Sequence, residues 1–162
     1  MQKINPFLWF DNQAEEAVKF YTSIFKESKI GRILRCNEQV AKTTGQPAGS
    51  VLTIEFEIAG EKLVALNGGP RFKFNESVSF VVNCETQAEV DYFWKKLTAD
   101  GGEESACGWL KDKFGLSWQV TPTVLIDMLH DKNPEKAERV MKAMLQMQKI
   151  EIPKLKAAYD EK

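Results

Sequence analysis

The sequence NGGPRFKF at residues 67–74 lies between two runs of apolar residues and decides how the chain folds. Two further stretches belong with it: SFVV at residues 79–82 and GLSWQ at residues 115–119. Together they place small polar side chains at the ends of otherwise apolar strand patterns. This arrangement is typical of a half-open β-cup, whose strand ends offer hydrogen-bonding groups to a small ligand. The sequence therefore predicts a small-molecule site before it indicates any reaction.

A β-α-β-β-β pattern precedes this stretch. Residues 3–10 form a short aromatic and aliphatic run, which predicts a strand. Asn12 is followed three positions later by Glu15, as in a capping box, and residues 13–25 then carry apolar side chains at helical spacing. The remaining elements are a strand over 30–36, a polar loop with turn residues over 38–50, and strands over 51–58 and 62–66.

The same pattern begins again at residue 78. A strand is predicted over 78–84, Thr86 and Glu89 form a capping box, and the helix that follows ends at Asp100. Strands over 104–112 and 116–121 complete the second copy. The repeat predicts an α+β fold of paired β-α-β-β-β modules. A shift of 73 residues superimposes the two helices, with Ala17 on Val90, Phe20 on Phe93, Tyr21 on Trp94 and Ile24 on Leu97.

The chain becomes helical after Pro122, with helices predicted over 123–129, from Pro134 onward and, more weakly, around 152–159. A stripe of methionines here is interpreted as packing against the chain's own sheet or a second subunit, and a cofactor or partner groove is the alternative. We therefore expect a domain over residues 1–122, with modules at about 3–68 and 77–122. Residues 123–162 form a C-terminal helical extension that packs on the same domain or on a dimer.

Composition excludes several classes of function. The 162-residue chain carries a formal net charge of −1, so it lacks the basic footprint that a nucleic-acid or anionic-membrane partner requires. No apolar run approaches the roughly 20 residues of a bilayer span. The first residues carry no signal-peptide pattern, which predicts a cytoplasmic location.

Cysteine and histidine usage limits the metal chemistry. Cys36, Cys84 and Cys107 are far apart and are interpreted as reduced packing residues, although Cys107, expected in a strand near the cup, is the candidate for a catalytic thiol. His130 is the single histidine and is expected at a helix end. One imidazole excludes a His-rich metal site, whereas an all-oxygen site for a hard cation stays open.

Several motifs, spread over about residues 3–122, resemble the PhnB-like branch of the vicinal oxygen chelate superfamily. They are WFD (9–11), AEEA (14–17), FY (20–21), LNGGP (66–70), QAEVD (87–91) with Trp94, and CGWLKDKFGLSWQV (107–120). The superfamily also holds glyoxalase I, extradiol dioxygenases and the bleomycin- and fosfomycin-resistance proteins, and members of this branch are often labelled demethylubiquinone methyltransferase-like. The resemblance implies two curved sheets, each with a helix on its convex side and a ligand cup on its concave side. It also implies a homodimer.

The superfamily's metal enzymes carry His or Glu at strand positions that the resemblance places near Asn5, Asn67, Ser77 or Ser79, and Gln119. Neutral amides and hydroxyls bind divalent cations weakly, so we expect no metal and no cofactor. Methyl transfer from S-adenosylmethionine usually rests on a glycine-rich turn that opens a helix. Gly68 and Gly69 are followed by a proline instead, which predicts a loop between modules with Phe72 and Phe74 as a flap over the cup.

We expect the ligand to contact Asn5, Trp9, Asn67, Phe72, Ser79, Trp109 and Gln119. The alternative is that these polar side chains only satisfy backbone groups at strand ends. Glu55 is the candidate catalytic group if its pKa is raised, and pairing of Glu55 and Glu57 with Lys62 across the hairpin is the competing interpretation.

Three functions stay open. The first is a protein that binds and sequesters a small organic ligand in a metal-free cup. The second is a metal-independent isomerase, lyase or transferase, and the third a dimeric partner-binding protein with a vestigial cup.

Overall fold

The computed structural model describes residues 2–161, which fall into two compact units with a division between Phe74 and Asn75. Each unit contains one four-stranded sheet. The division lies between the expected module boundaries at residues 68 and 77. None of the helices within residues 2–161 is long and apolar enough to cross a membrane.

The first unit has the element order that the sequence predicts, with one additional helix. Strand order in its sheet is β1-β4-β3-β2, in which β1 is parallel to β4 and the other neighbours are antiparallel. The elements are β1 (Phe7–Phe10), α1 (Ala14–Ile24), β2 (Ser28–Arg35), α2 (Glu38–Thr44), β3 (Val51–Ile58) and β4 (Glu61–Asn67).

Helix α1 packs on one face of this sheet because alternate strand residues are apolar on that side. Ile54 and Phe56 of β3 and Leu63 and Ala65 of β4 are buried. Alternation puts Glu55 and Glu57 on the opposite face, as predicted. This opposite side is called the helix-free face below.

Two local predictions for the first unit are wrong. Asn12 does not cap α1, because the helix begins one residue later and its first free amide, that of Ala14, donates to Oδ1 of Asn67 at 2.9 Å. The expected polar loop over 38–50 contains helix α2. Asn37 caps α2 by accepting from the amide of Val40, and Gly45 ends it in the left-handed conformation.

The second unit repeats the sheet order as β5-β8-β7-β6, with β5 parallel to β8. Thr86 caps α3 as predicted, while the carboxylate of Glu89 accepts from the amide of Glu85 rather than from that of Thr86. The elements are β5 (Ser79–Cys84), α3 (Gln87–Leu97), β6 (Glu103–Glu104), β7 (Trp109–Lys111) and β8 (Ser117–Pro122).

The expected strand over 104–112 is interrupted. Cys107 and Gly108 both adopt positive φ, at 57° and 83°, which no strand accommodates. The amides of these two residues donate to the carbonyls of Met147 and Gln148. Cys107 therefore lies in a turn between β6 and β7 that is tied to the C-terminal region, and not in a strand.

Three C-terminal helices belong to the second unit: α4 (Thr123–Leu129), α5 (Pro134–Leu145) and α6 (Ile152–Asp160). They share a core that includes Leu125, Val140 and Leu155. Gln87, at the start of α3, joins them to the second sheet's helix: its Oε1 accepts from the amide of Ile152 and its Nε2 donates to the carbonyl of Ile150. The extension thus packs on the second module within the chain.

Candidate functional site

The helix-free face of the second sheet carries two rows of side chains that cross neighbouring strands. The first row runs from Glu103 on β6 through Lys111 and Ser117 to Ser79 on β5. The second row places Trp109, Gln119 and Val81 side by side. This surface, defined by these seven residues, is called the second face below.

A polar pair lies at the centre of the second face. Nε2 of Gln119 donates to Oγ of Ser79 at 2.9 Å, which joins the two rows diagonally. The half-buried indole of Trp109 lies beside Gln119 in the sheet register. Because an amide has two N–H donors and one carbonyl acceptor, this bond leaves Gln119 with unused capacity of both kinds.

Ser117 has no exposed surface, and its Oγ is a buried polar atom without a hydrogen-bond partner in the described part of the chain. It lines a cavity of about 410 Å³ together with Trp109, Lys111, Glu76 and Glu103. Native structures rarely leave a buried hydroxyl unsatisfied, so Ser117 has hydrogen-bonding capacity for a molecule in this cavity.

An ion pair between Lys111 and Glu76 crosses the cavity wall. The hydrogen bond from Lys111 lowers the pKa of Glu76, and the same contact raises the pKa of Lys111. The carboxylate of Glu103, opposite Lys111 in register, raises the pKa of Lys111 further. Both partners of the pair therefore stay charged at neutral pH.

The helix-free face of the first sheet, called the first face below, is different. A cavity of about 360 Å³ is bordered by Asn5 and by charged side chains. Nε and Nη2 of Arg32 donate to the two carboxylate oxygens of Glu55 at 2.9 and 2.6 Å. Glu57 forms an ion pair with Lys29 at 3.1 Å. The expected Lys62 partner is thus replaced by Arg32 and Lys29.

Glu55 does not have the raised pKa that general acid catalysis would need. The hydrogen bond from Arg32 lowers the pKa of Glu55, and Lys62 adds a smaller effect of the same sign. The expected proton-transfer role is therefore corrected: Glu55 is an ionised, bidentate partner of Arg32.

Trp9 and Phe72, both predicted ligand contacts, lie against each other next to a glycine turn. Nε1 of Trp9 donates to the carbonyl of Gly69 at 2.8 Å, and the rings of Trp9 and Phe72 meet edge-on with centroids 4.9 Å apart. Gly68 lies against the indole so closely that a Cβ there would be 2.3 Å from Cε2 of Trp9. Phe72 remains 54% exposed.

Asn67 lies away from the first face. It shares the helix-packed side of β4 with Leu63 and Ala65, and only 6% of it is exposed. Besides capping α1, it donates from Nδ2 to the carbonyl of Val51 at 3.0 Å. Both polar ends of the side chain thus hold backbone groups.

The strand register explains why Asn67 and Gln119 differ. Phe10 pairs with Asn67 in the first sheet, whereas the corresponding buried Cys84 pairs with Pro122 in the second. Asn67 on β4 and Pro122 on β8 are therefore equivalent positions. Three residues earlier on the same strands, Val64 is the counterpart of Gln119. The first face therefore has no amide at this position.

Sequence reasoning missed three residues that border the cavities: Glu76 and Glu103 at the second face and Arg32 at the first. A register between β6 and β7 would have indicated Glu103, but no sequence signal fixes the register of a two-residue strand. No three His, Cys, Asp or Glu side chains within residues 2–161 come close enough to hold a metal ion.

Comparison with known proteins identifies the family. The family model of 3-demethylubiquinone-9 3-methyltransferase matches residues 2–121. A PhnB protein from Bacillus cereus is 35% identical, with 75% of this chain and 100% of that chain covered and a TM-score of 0.66. The protein PA1353 from Pseudomonas aeruginosa is 19% identical, with 75% and 98% covered and a TM-score of 0.58. No curated protein sequence matches the chain.

Proposed function

This chain belongs to the 3-demethylubiquinone-9 3-methyltransferase family, in its PhnB-like, glyoxalase-fold form, and from that membership we propose that it binds a small organic ligand and retains it without chemical change. The second face is the proposed binding surface. Ser79, Trp109 and Gln119 contact the ligand there.

The bond between Gln119 and Ser79 beside the indole of Trp109 is the observation that carries this proposal. A fixed amide presents a donor and an acceptor in a defined direction, and a flat aromatic wall supplies apolar contact. Few polar groups against aromatic surface are typical of small-molecule sites. The unsatisfied hydroxyl of Ser117 lies in the same row as Ser79, which is a further reason to propose the second face as the binding surface.

Retention without turnover is favoured over catalysis because Glu55, the candidate catalytic carboxylate, and His130, the single histidine, are both engaged away from the second face. Glu55 is paired with Arg32, and Nδ1 of His130 lies 2.8 Å from the carbonyl of Ile126 at the end of α4. Methyl transfer also lacks support. No helix begins within residues 68–78, so Gly68 and Gly69 do not form the strand–turn–helix site usual for S-adenosylmethionine.

The first face contributes a second part of the proposal. Asn5 borders the charged cavity, and Trp9 with Phe72 forms an aromatic edge. We include these three residues as ligand contacts and leave out Asn67, because its side chain already bonds to two backbone groups. A homodimer and a cytoplasmic location stay predictions, the former testable by light scattering during size-exclusion chromatography.

Native mass spectrometry of the purified protein mixed with metabolite extracts tests the proposal. We expect a bound organic species whose mass is unchanged after incubation. Trp109→Ala should abolish its retention, while Tyr92→Ala, which removes an exposed aromatic ring from α3, should leave it intact. Loss of the added compound with appearance of a product would favour the enzyme instead, and equal retention by both variants would remove the second face from the proposal.

A further inference from the structure

We propose that the second face selects organic amines, with the ligand's ammonium group held in the cavity between Glu103, Trp109 and Ser117. This inference rests on the proposed function, since it specifies the ligand class of the same surface. It depends on the charges around the cavity, the unsatisfied hydroxyl and the indole wall.

The charges around the cavity favour a cation. Two carboxylates, those of Glu76 and Glu103, face one ammonium, that of Lys111, so one negative charge is left in excess. Lys111 is bonded to Glu76, whereas Glu103 takes part in no ion pair within residues 2–161. Glu104 also borders the cavity and adds a further negative charge, although its carboxylate accepts from the neutral Nε1–H of Trp94.

Ser117 is the independent sign that something binds here. Its hydroxyl is fully buried, has no partner in the described chain and lies on the cavity side of β8, between Lys111 and Ser79 in the row. A hydroxyl oxygen accepts readily from the N–H of an ammonium group. A ligand that places such a donor there would satisfy the orphaned oxygen while its charge balances Glu103.

Trp109 supplies the third element. Its half-buried indole borders the same cavity, one row away from Ser117. The face of an indole ring attracts organic cations more strongly than neutral molecules of the same shape. The apolar part of the amine can then extend along Val81, which is 50% exposed on the same face.

Three probes of similar shape and different charge test this inference: 4-phenylbutylamine, 4-phenylbutanol and 4-phenylbutyrate, titrated by calorimetry and by tryptophan fluorescence. We expect the amine to bind roughly tenfold more tightly than the alcohol, because an exposed carboxylate and an aromatic face each contribute a modest preference. The carboxylate probe should bind most weakly.

Two variants identify the residues responsible. Glu103→Gln should lower the affinity for the amine about threefold and leave the affinity for the alcohol unchanged, since it removes one exposed charge. The matched control Glu135→Gln, on the exposed side of α5, should change neither affinity. Ser117→Ala should lower the affinity for the amine. It should not lower the melting temperature of the free protein, because the hydroxyl that it removes is already unsatisfied.

The outcomes separate the two proposals. Equal affinity for all three probes, lost together in Trp109→Ala, would overturn the amine inference and leave the small-molecule site intact. Preference for the carboxylate, or amine binding unaffected by Glu103→Gln and Ser117→Ala, would also overturn it. Absence of binding for all three probes, together with no retained species by mass spectrometry, would overturn the proposed function as well.

Discussion

The two helix-free faces have the same strand order but differ in how many of their polar groups are paired. On the first face, carboxylates and cations neutralise each other, as Glu55 does with Arg32 and Glu57 with Lys29. On the second face, Lys111 also pairs with Glu76, but Gln119 and Ser79 are neutral and the hydroxyl of Ser117 has no hydrogen-bond partner within residues 2–161. A duplicated sheet can thus have one face with its polar groups paired among themselves and another with polar groups available to a ligand.

The amides of the two sheets lie three positions apart along equivalent strands, β4 and β8. Asn67 holds α1 and β3 together from the helix-packed side of its sheet, while Pro122 occupies the corresponding position of the second sheet. The amide that we propose for recognition is Gln119, whose counterpart in the first sheet is Val64. The structural amide Asn67 and the proposed ligand-binding amide Gln119 are therefore in different modules.

Replacement of Asn67 is expected to have the largest effect. Asn67→Ala leaves the amide of Ala14 and the carbonyl of Val51 buried without partners, which should lower the free energy of unfolding by about 3 kcal/mol. Urea denaturation followed by circular dichroism measures this change. Asn83→Ala, at an exposed position of β5, is the control and should cost less than about 0.5 kcal/mol.

Thiol labelling then assigns the effect to one unit. Cys36 and Cys84 are buried in the first and second unit, and burial raises the pKa of Cys84 to about 12. Neither should react quickly at pH 8 in the native protein, because the thiolate is the reactive form and access is blocked. Asn67→Ala should accelerate labelling of Cys36; unchanged labelling would mean that Asn67 does not stabilise the first unit.

Most of the fold was predictable because strand and helix periods are strong in both modules. The order β-α-β-β-β, the cap at Thr86 and the helix from Thr123 are all present. Helix α2 was missed because turn residues at Gly45 and Pro47 dominate its local pattern. The resemblance to PhnB-like proteins is confirmed by the family model and by the Bacillus cereus structure.

The candidate site was less predictable, because alternation gives the face of a residue but not its neighbour on another strand. In β4, Leu63 to Leu66 are all apolar, so the sequence could not indicate that Asn67 faces the helix. Arg32 meets Glu55 where the pairing of β2 with β3 shifts between Ile30 and Ile33. Such an irregularity has no sequence signal here.

Gln119→Val makes the second face resemble the first and is expected to have the next largest effect. Loss of the amide should weaken ligand binding about tenfold, the value of one good hydrogen bond, with little change in stability because the residue is half-exposed. Val64→Ala in the first sheet is the control and should leave affinity unchanged. Native mass spectrometry of each variant with the metabolite extract measures how much of the organic species is retained, and equal losses in both would remove the contrast between the faces.

The smallest expected effect is the acid sensitivity of the first face. The pKa of Glu55 lies below its ordinary value of 4.5 when folded, so the Arg32–Glu55 pair stabilises the protein above that pH. This contribution should be lost as the pH falls from about 4.5 through the lower folded pKa, since the unfolded state then binds the proton more readily. Glu55→Gln should therefore narrow the difference in melting temperature between pH 7 and pH 3, whereas Glu61→Gln, an exposed carboxylate at the start of β4, should retain the full difference.

Because the Arg32–Glu55 pair is solvent-exposed, 1 M sodium chloride should also lower its contribution to stability. An unchanged pH response in Glu55→Gln would mean that the first face is not held by its ion pairs, and the contrast with the second face would then depend on Ser117 and Gln119 alone.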